Sequence, residues 1–454
     1  MSEWKKVKIG DFLTEREGRY KPDDSKISKY KRLDKIDFSG TIHISDKPTK
    51  TDMIIVHPGD LVISGINVAK GAVAVYQGDE PVCATIHYSS YTFDSSKVDL
   101  DYFKYFVKSP AFIAALQKQV KGGIKTEIKP KHLLPLEISI PDLQTQQEIV
   151  KKISLQLQKA EQLTLEIESQ KNYIKLLRQN ILQEAIEGKR TAVWRKQNPV
   201  QKGNPDYDAE ALFERIQKEK YHTDSILLTQ NQDKKKKGKS LDFPNPCDNE
   251  ENPFAIPDGW KWVRLGEISD IVRGGSPRPA GDKNYYDGKI PFLKVADITN
   301  LDEKELWTYT YTIKEAGLKK TRFVEKETLM LTNSGATLGI PKICMIATTF
   351  NDGIDAFLDI KNRIIKDYLF YFLKSKTQWF LKETAKDQGQ PNLNTDIISS
   401  TVLALPPLIE QKEIVSQVEK HLQTVSHLES QITEREQLTK QLMQSILKDA
   451  FKEN

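Results

Sequence analysis

Cysteine, histidine and long apolar runs are scarce in this chain. Its 454 residues include three cysteines, Cys83, Cys247 and Cys344, which lie far apart and form no CxxC or CxxH pair. A disulfide scaffold or a metal site is therefore not expected, and a reducing cytoplasm suits the chain. No run of 18 apolar residues is present, and the N-terminal segment lacks the apolar stretch of a secretory signal. These absences predict a cytoplasmic protein with no membrane partner.

Motifs of methyl transfer and nucleotide hydrolysis are also missing. The chain has no Asn/Asp-Pro-Pro-Tyr/Phe loop, because Asn252-Pro-Phe254 lacks the second proline. Gly238-Lys-Ser240 lacks the glycine that a phosphate-binding loop needs five positions earlier, where Asp233 stands. These gaps favour a binding module over an enzyme, and we expect no cofactor on this chain. The formal charge of +5 permits an anionic partner without demonstrating one.

The chain contains a long internal repeat. Residues 139–188 align without a gap to 404–453, with 16 identities in 50, and 4–12 and 101–109 match 260–268 and 367–375. The stretches between these anchors diverge strongly. The sequence therefore predicts a globular unit followed by a helix, written twice, with similar ends and dissimilar middles.

Each repeat ends in a predicted coiled-coil helix. Apolar residues follow a proline and alternate in spacing between four and three, which is the seam of a coiled coil. The predicted interface residues are Ile153, Leu163, Ile167, Ile174 and Leu177 in the first helix and Val418, Leu428, Ile432, Leu442 and Ile446 in the second. Polar residues interrupt both seams at matching places, first at Gln156 and His421 and then at Gln170 and Arg435. We expect the two helices to pair antiparallel; the alternative is two ordinary amphipathic helices in separate domains.

The remaining segments predict an α+β protein. Short apolar runs between Gly, Pro, Asn and Asp predict mixed, strand-rich units, and aromatic segments with helical spacing predict core helices rather than base-stacking surfaces. The predicted organisation is a first unit at 1–140, a helix at 141–188, a charged connector at 189–258, a second unit at 259–405 and a helix at 406–454. The lysine run Lys234–Lys237 in the connector predicts a solvated loop, with a weak DNA-backbone contact as the alternative.

Polar, basic loops that contain glycine recur at matching places in both units. Glycine lets a backbone approach a phosphate, and Arg, Lys, Asn and Gln pair with base edges. The candidate DNA-binding residues are Arg19, Lys21, Asn67, Lys70, Lys125 and Thr126 in the first unit and Arg273, Ser276, Arg278, Lys294, Asn333 and Gln390 in the second. The alternative is that these loops are simply solvated turns.

Several segments resemble the specificity subunit of type I restriction-modification enzymes, and the resemblance covers essentially the whole chain. They are the twin segments Ile140–Val150 and Leu405–Val415, the stretch Ala192-Val-Trp-Arg195 with Asn198-Pro199, and Ile256-Pro-Asp-Gly-Trp-Lys-Trp262. Gly59–Ser64 and Tyr285–Asp297 look like signatures of its target recognition domains. The second unit fits the pattern of these domains better than the first, which lacks a clear Gly-Ser-x-Pro stretch, so the base-reading loops of the first unit are harder to place.

The resemblance implies a non-catalytic subunit that binds double-stranded DNA. Each target recognition domain would read one half of a bipartite, asymmetric site, and the coiled coil would hold the halves apart and dock two methylation subunits. Those partners would carry S-adenosylmethionine and flip an adenine, while motor/nuclease subunits would use ATP and Mg²⁺. The alternatives are the recognition portion of a self-contained methyltransferase or nuclease and a coiled-coil scaffold that binds no DNA.

Overall fold

The protein forms two compact units in a computed structural model. The structure describes residues 4–38, 40–66, 72–110, 112, 114–115, 129–230, 253–300, 302–335, 337–384 and 392–451. One unit consists of Met1–Lys171 with Gln431–Asn454, and the other of Asn172–Ser430. Within the described residues, no helix has both the length and the apolar character needed to cross a membrane.

The part of the first unit that precedes its long helix is built mainly from short strands. They are β1 (Lys5–Lys8), β2 (Leu13–Glu15), β3 (Arg32–Ile36), β4 (Ile42–Ser45), β5 (Met53–Val56), β6 (Leu61–Ser64), β7 (Val73–Val75), β8 (Val82–Thr85), β9 (Tyr88–Phe93) and β10 (Glu137–Ile140). Two helices, α1 (Leu100–Phe106) and α2 (Pro130–Leu133), accompany them. The strands form sheets in the orders β2-β9-β6-β7 and β4-β3-β8-β5 and a β1-β10 ribbon. The aromatic face of α1 is buried, with Tyr102 and Phe103 fully inaccessible, as expected of a core helix.

A long helix and a helical connector follow. They are α3 (Leu143–Ile186), α4 (Ala192–Gln197) and α5 (Ala209–Gln230). At 1.5 Å per residue, the 44 residues of α3 extend about 66 Å. This helix contributes residues to both compact units, because the division between them falls after Lys171.

The second unit has a larger set of elements. Its strands are β11 (Lys261–Arg264), β12 (Asp270–Arg273), β13 (Tyr286–Leu293), β14 (Glu305–Leu306), β15 (Tyr311–Ile313), β16 (Arg322–Val324), β17 (Thr328–Thr332), β18 (Pro341–Cys344), β19 (Thr348–Phe350), β20 (Ile354–Leu358) and β21 (Val402–Leu405). Its helices are α6 (Leu265–Ile268), α7 (Val295–Thr299), α8 (Glu315–Leu318), α9 (Arg363–Thr384) and α10 (Thr395–Ser400), and the chain continues into the long helix α11 (Leu408–Ala450). The sheet orders are β12-β20-β17-β18-β14 and β15-β13-β19-β16, with a β11-β21 ribbon.

The internal repeat extends through the middles of the units, where the two sequences diverge strongly. The order β2-β9-β6-β7 recurs as β12-β20-β17-β18, and β4-β3-β8-β5 recurs as β15-β13-β19-β16. Even the parallel pair β3–β8 has its counterpart in β13–β19. The shared strand order is compatible with the divergent sequences, because a strand needs a pattern of polar and apolar positions rather than particular residues. The predicted α+β class and internal repeat are confirmed.

A buried glutamine in the first turn of each long helix donates a hydrogen bond to a proline that precedes the helix. The Gln146 amide donates to the carbonyl oxygen of Pro141, and the Gln411 amide donates to that of Pro406, each at 2.8 Å. The Gln146 carbonyl oxygen also accepts from the backbone N–H of Asp99, before α1. These contacts give a physical reason for the Pro and Gln shared by the two repeats.

The polar interruption at Gln170 and Arg435 is a pairing contact. Within the first unit, the Arg435 guanidinium donates to the Gln170 amide oxygen at 3.0 Å, across 265 positions. Lys171 and Glu436 meet across the same separation at 2.8 Å. Ile153, earlier on α3, shares a core cluster with Ile446, later on α11, so the helices pair antiparallel. Repeat-equivalent residues therefore face each other at this layer, as an internal twofold relation requires.

The buried seam is narrower than predicted. A row of buried residues at every seventh position runs along each helix, namely Ile153, Ala160, Ile167, Ile174 and Ile181 on α3 and Val418, Val425, Ile432, Thr439 and Ile446 on α11. Further apolar side chains, among them Ile186 and Ile414, are buried near the helix ends. The predicted interface residues Leu163, Leu177, Leu428 and Leu442 remain 36–45% exposed. The second apolar position of each heptad is thus only partly covered by the partner helix, and these leucines lie at the margin of the contact.

Candidate nucleic-acid interface

Three chain segments converge at one edge of the second unit. Asn333, which follows β17, donates its N–H to the carbonyl of Gly353 at 2.9 Å and accepts from the N–H of Leu393 at 2.8 Å. Ser334 forms an isolated β-bridge with Asn392. The segment after β12 joins them through Arg273, and we call Arg273, Ser276, Arg278, Asn333, Asp352 and Asn392 the second-unit cluster.

Two glycines allow the segment after β12 to reach this place. A Cβ atom on Gly274 would lie 2.2 Å from the carbonyl oxygen of Asn351, and one on Gly275 would lie 2.5 Å from that of Lys320. No side chain tolerates such distances, so the backbone approach depends on glycine. The close approach brings the following residues, Ser276 and Arg278, to Asp352.

Asp352 organises the polar groups of the cluster. The Ser276 hydroxyl donates to its carboxylate at 2.6 Å, and the Arg278 guanidinium lies 3.6 Å from the other carboxylate oxygen. The Arg273 Nε donates to the Asp352 carbonyl at 2.7 Å, and its Nη2 lies 3.4 Å from the Asn392 amide oxygen. The hydrogen bond from Ser276, followed by the nearby arginines, lowers the pKa of the Asp352 carboxyl. The carboxylate therefore stays ionised at neutral pH beside the Arg278 guanidinium, while the backbone carbonyl of the same residue holds Arg273.

Lys294 lies beside this cluster, on the neighbouring sheet. The residue before it, Leu293, accepts a hydrogen bond from the N–H of Asn351 at 2.9 Å. The Lys294 ammonium lies 3.4 Å from the centroid of the half-exposed Tyr311 ring, a cation–π contact. The backbone at Leu293 thus adjoins the 351–353 turn, while the Lys294 charge lies over Tyr311.

Asn333 departs from its predicted role. It is fully buried, so it does not present its amide to a ligand on the surface as the sequence suggested. The reason is its position directly after β17, where the chain is still held between β20 and the Leu393 segment. Gln390 lies outside the described residues.

The first unit has a cavity at the equivalent place. The pairs Leu61–Tyr91 and Ser64–Tyr88 correspond to Leu329–Phe357 and Thr332–Ile354, which puts Gly65 at the position of Asn333 and Ser89 at that of Asp355. A cavity of about 340 Å³ opens here and is lined by residues 15–19, 54, 65, 86–89 and 129–130. The same three segments of the repeat therefore meet in both units.

The predicted residues of the first unit can be placed around this cavity only in part. Arg19 lines it, and the exposed Lys21 forms an ion pair with Asp52 at 3.1 Å. Asn67, Lys70, Lys125 and Thr126 lie outside the described residues. Gly65 and Lys129 both line the cavity. Gly65 lies close in sequence to Asn67 and Lys70, and Lys129 lies close in sequence to Lys125 and Thr126.

Arg16 and Asp60 are functional candidates that the sequence analysis did not single out. The Asp60 carboxylate is buried and accepts from the Arg16 guanidinium at 2.6 Å, the Ser90 hydroxyl at 2.8 Å and the His57 N–H at 2.9 Å. Arg16 lines the cavity, so Asp60 holds a cationic side chain of the cavity wall in place. The sequence signal that could have identified Asp60 is its position as an acidic residue directly before the apolar strand β6.

A second buried carboxylate joins the motifs of the connector. Glu410 accepts from the Thr191 hydroxyl at 2.7 Å, the Arg195 guanidinium at 2.7 Å and the Trp260 indole N–H at 2.8 Å. Thr191 and Arg195 lie in the connector, Trp260 lies at the start of the second unit, and Glu410 belongs to α11. The sequence motifs around 192–199 and 256–262 are thus parts of one network. In the described part of the chain, no group of three or more His, Cys, Asp or Glu side chains is arranged to hold a metal ion.

Known proteins resemble the chain in both halves. The family model of the type I restriction modification DNA specificity domain matches residues 1–173 and 257–437. The type I restriction enzyme EcoEI specificity subunit of Escherichia coli is 26% identical over 274 residues, which are 58% of this chain and 43% of that relative. The EcoDI specificity subunit of Escherichia coli is 23% identical over 347 residues, covering 75% of this chain and 67% of the relative. The chain thus spans less than half the length of the EcoEI relative in this match.

Solved structures show the same fold along the whole chain. A chain from a study of complex assembly and conformational transition of the type I R-M system matches with a TM-score of 0.64 at 17% identity, covering 99% of this chain and 97% of that one. The HsdS subunit from Thermoanaerobacter tengcongensis matches with a TM-score of 0.52 at 19% identity, covering 99% and 96%. Because the family model matches most of the chain in two separate regions, this protein belongs to the type I restriction modification DNA specificity domain family.

Proposed function

We propose that this chain is the DNA-recognition subunit of a type I restriction-modification system in the cytoplasm of a bacterium or archaeon. Each unit reads one half of a bipartite, asymmetric site in double-stranded DNA, and the chain itself carries no catalytic activity. The observation that carries the proposal is the meeting of the same three chain segments at equivalent places in both units.

The chemistry of these surfaces suits DNA. Arg273, Arg278 and Lys294 present cationic donors on a scaffold fixed by backbone contacts and by Asp352. Arginine pairs bidentately with the major-groove edge of guanine, and cations on phosphates add salt-dependent affinity. The units differ where they correspond, with Gly65 and Ser89 in one and Asn333 and Asp355 in the other, so we expect different half-sites.

The long helices provide a surface for protein partners. Leu155, Leu165, Tyr173 and Leu438 are 54–72% exposed along α3 and α11. Exposed apolar side chains of this size favour docking of another protein. In the proposed complex these partners are two methylation subunits, which bring S-adenosylmethionine, and motor/nuclease subunits, which bring ATP and Mg²⁺.

Selection from a randomised duplex library tests the proposal. The full chain, alone and with the methylation subunits, is incubated with the library, and bound duplexes are sequenced at several salt concentrations. We expect two short sequence blocks separated by an unspecified gap of fixed length, with affinity that falls as salt rises. Absence of DNA binding in both preparations would support the scaffold alternative. Transfer of methyl groups from S-adenosylmethionine to DNA by the chain alone would support the self-contained enzyme.

A further inference from the structure

Asn333 of the second-unit cluster lies beside a second buried polar side chain, Asp355. Asn333 and Asp355 are both 0% exposed. The Asn333 amide is near enough to lower the pKa of the Asp355 carboxyl, but neither side chain forms a well-directed hydrogen bond with a described group. A buried polar group without a partner costs stability, so a native protein that keeps two of them together calls for an explanation.

The sheet places both side chains beside Arg273. In the order β12-β20-β17, Asp355 lies on the central strand, directly opposite Arg273 on one side and Leu331 on the other. Asn333 follows Leu331 by two positions. Because side chains alternate between the two faces of a sheet, Arg273, Asp355 and Asn333 share one face.

Arg273 is held along one edge only. Its Nε donates to the Asp352 carbonyl, and its Nη2 lies near Asn392. Its other guanidinium donors have no partner among the described residues. Burial raises the pKa of Asp355 to about 6, and the nearby Asn333 amide and Arg273 guanidinium offset part of that rise. At neutral pH, a buried carboxylate therefore lies next to a partly unpaired guanidinium.

We propose that Asp355 and Asn333 are positioning residues that orient Arg273 toward a guanine in the half-site read by the second unit. The inference rests on the proposed function. The Asp355 carboxylate attracts the Arg273 guanidinium across the strand pair, and the Asn333 amide stabilises the charged form of that carboxylate. A side chain ordered before binding loses less freedom on binding. The free donors then match the two acceptors on the major-groove edge of guanine, the commonest specific contact of arginine.

The first unit supplies substitutions that suit this fold. Its equivalents of Asn333 and Asp355 are Gly65 and Ser89. Asn333→Gly and Asp355→Ser therefore introduce residues already found at these positions of the topology, and Asp355→Asn preserves the shape of the side chain. Asp287→Asn is the control, because it removes the same charge from an exposed position of the same unit.

The test measures affinity for the cognate duplex and for duplexes with one base pair replaced in either half-site. The full chain is compared with Arg273→Ala, the three positioning variants and Asp287→Asn. We expect Arg273→Ala to lose about 5- to 150-fold discrimination at one G·C pair. The positioning variants should lose several-fold discrimination at that pair, with the other half-site unchanged, and Asp355→Asn should add no further loss to Arg273→Ala. Asp287→Asn should behave as the parent.

The pH dependence separates positioning from a structural role. The groups around Asp355 are Arg273 from β12 and Asn333 after β17. Asp352, in the turn before β20, pairs with Arg278 from the segment after β12. Discrimination by the parent chain should fall as pH is lowered through about 6, because the protonated carboxyl no longer attracts Arg273. Asp355→Asn should lack this dependence.

The outcomes distinguish this inference from the proposed function. Unchanged discrimination in the positioning variants, with a loss in Arg273→Ala, would overturn the inference and leave the function standing. Equal losses in both half-sites would also overturn it, since they indicate general damage to the fold. No effect of Arg273→Ala on discrimination would overturn both the inference and the placement of the DNA-reading surface.

Discussion

At the scale of single residues, Asp355 shows how a binding surface is retained at the expense of stability. Its carboxylate is fully buried without a well-directed hydrogen bond, although an isosteric amide would avoid the burial of a charge. Stability and function therefore make opposite demands on this position.

Asp355→Asn should stabilise the protein at neutral pH. The folded pKa of about 6 lies above the ordinary value of 3.8, so the folded state holds the proton more tightly than the unfolded one. The stability associated with this proton is present below about pH 4 and is lost as pH rises through 6. The difference of about two pKa units corresponds to a loss of about 3 kcal/mol in the free energy of unfolding above pH 6.

Urea unfolding at pH 4.5, 6 and 7.5 measures this effect. The gain for Asp355→Asn should increase between the first two values and level off by the third, while Asp287→Asn shows no such trend. A variant less stable than the parent at pH 7.5 would contradict the account.

At the scale of elements, the buried glutamine in the first turn of each long helix makes a different number of bonds. Gln146 satisfies the Pro141 carbonyl and the Asp99 N–H, whereas the side-chain oxygen of Gln411 has no partner among the described groups. Gln146→Ala therefore leaves two backbone groups unpaired and should cost roughly 2–4 kcal/mol, and Gln411→Ala should cost about 1–2 kcal/mol. Gln144→Ala, an exposed change in the same turn, is the control. Denaturant unfolding decides the order; equal costs for all three would refute the role of the buried amides.

The Glu410 network should hold the connector to the second unit. Glu410→Ala removes the acceptor of three donors and leaves the largely buried Arg195 charge unpaired. A broken buried ion pair costs roughly 3–5 kcal/mol. Hydrogen exchange should therefore accelerate in 192–197 and 261–264. Glu413→Ala, which loses only a contact to Gln417 on the helix surface, should leave these segments protected. Unchanged protection in Glu410→Ala would show that other contacts hold the connector.

The elements that the sequence predicted are those with local signals. The heptads and the Pro–Gln pairs lie within short stretches, so the helices and the ends of the repeat could be predicted. The sheet order could not, because β13 pairs with β19 across more than 50 residues and no short-range signal records this. The loops of the candidate site were likewise visible as basic, glycine-containing turns, but the burial of Asn333 depends on contacts with Gly353 and Leu393.

At the scale of the whole molecule, α3 and α11 contribute to both compact units, and repeat-equivalent residues meet at Gln170 and Arg435. If these helices set the distance between half-sites, lengthening both at this layer should change the gap alone. Duplicating 167–173 and 432–438 preserves the heptad phase and adds about 10 Å, the length of about three base pairs. Library selection should recover the same two blocks with a gap longer by about three base pairs. Altered blocks with an unchanged gap would contradict this role.

The central claim is that each unit reads its own half of the DNA site through the three converging segments. Its most direct test compares the binding profiles of two matched double variants, Arg19→Ala with Lys21→Ala and Arg273→Ala with Arg278→Ala, by library selection with the full chain. The account predicts that the first pair weakens sequence preference in one block only and the second pair in the other block only. Loss of preference in both blocks from either pair, or unchanged preference in both variants, would contradict it.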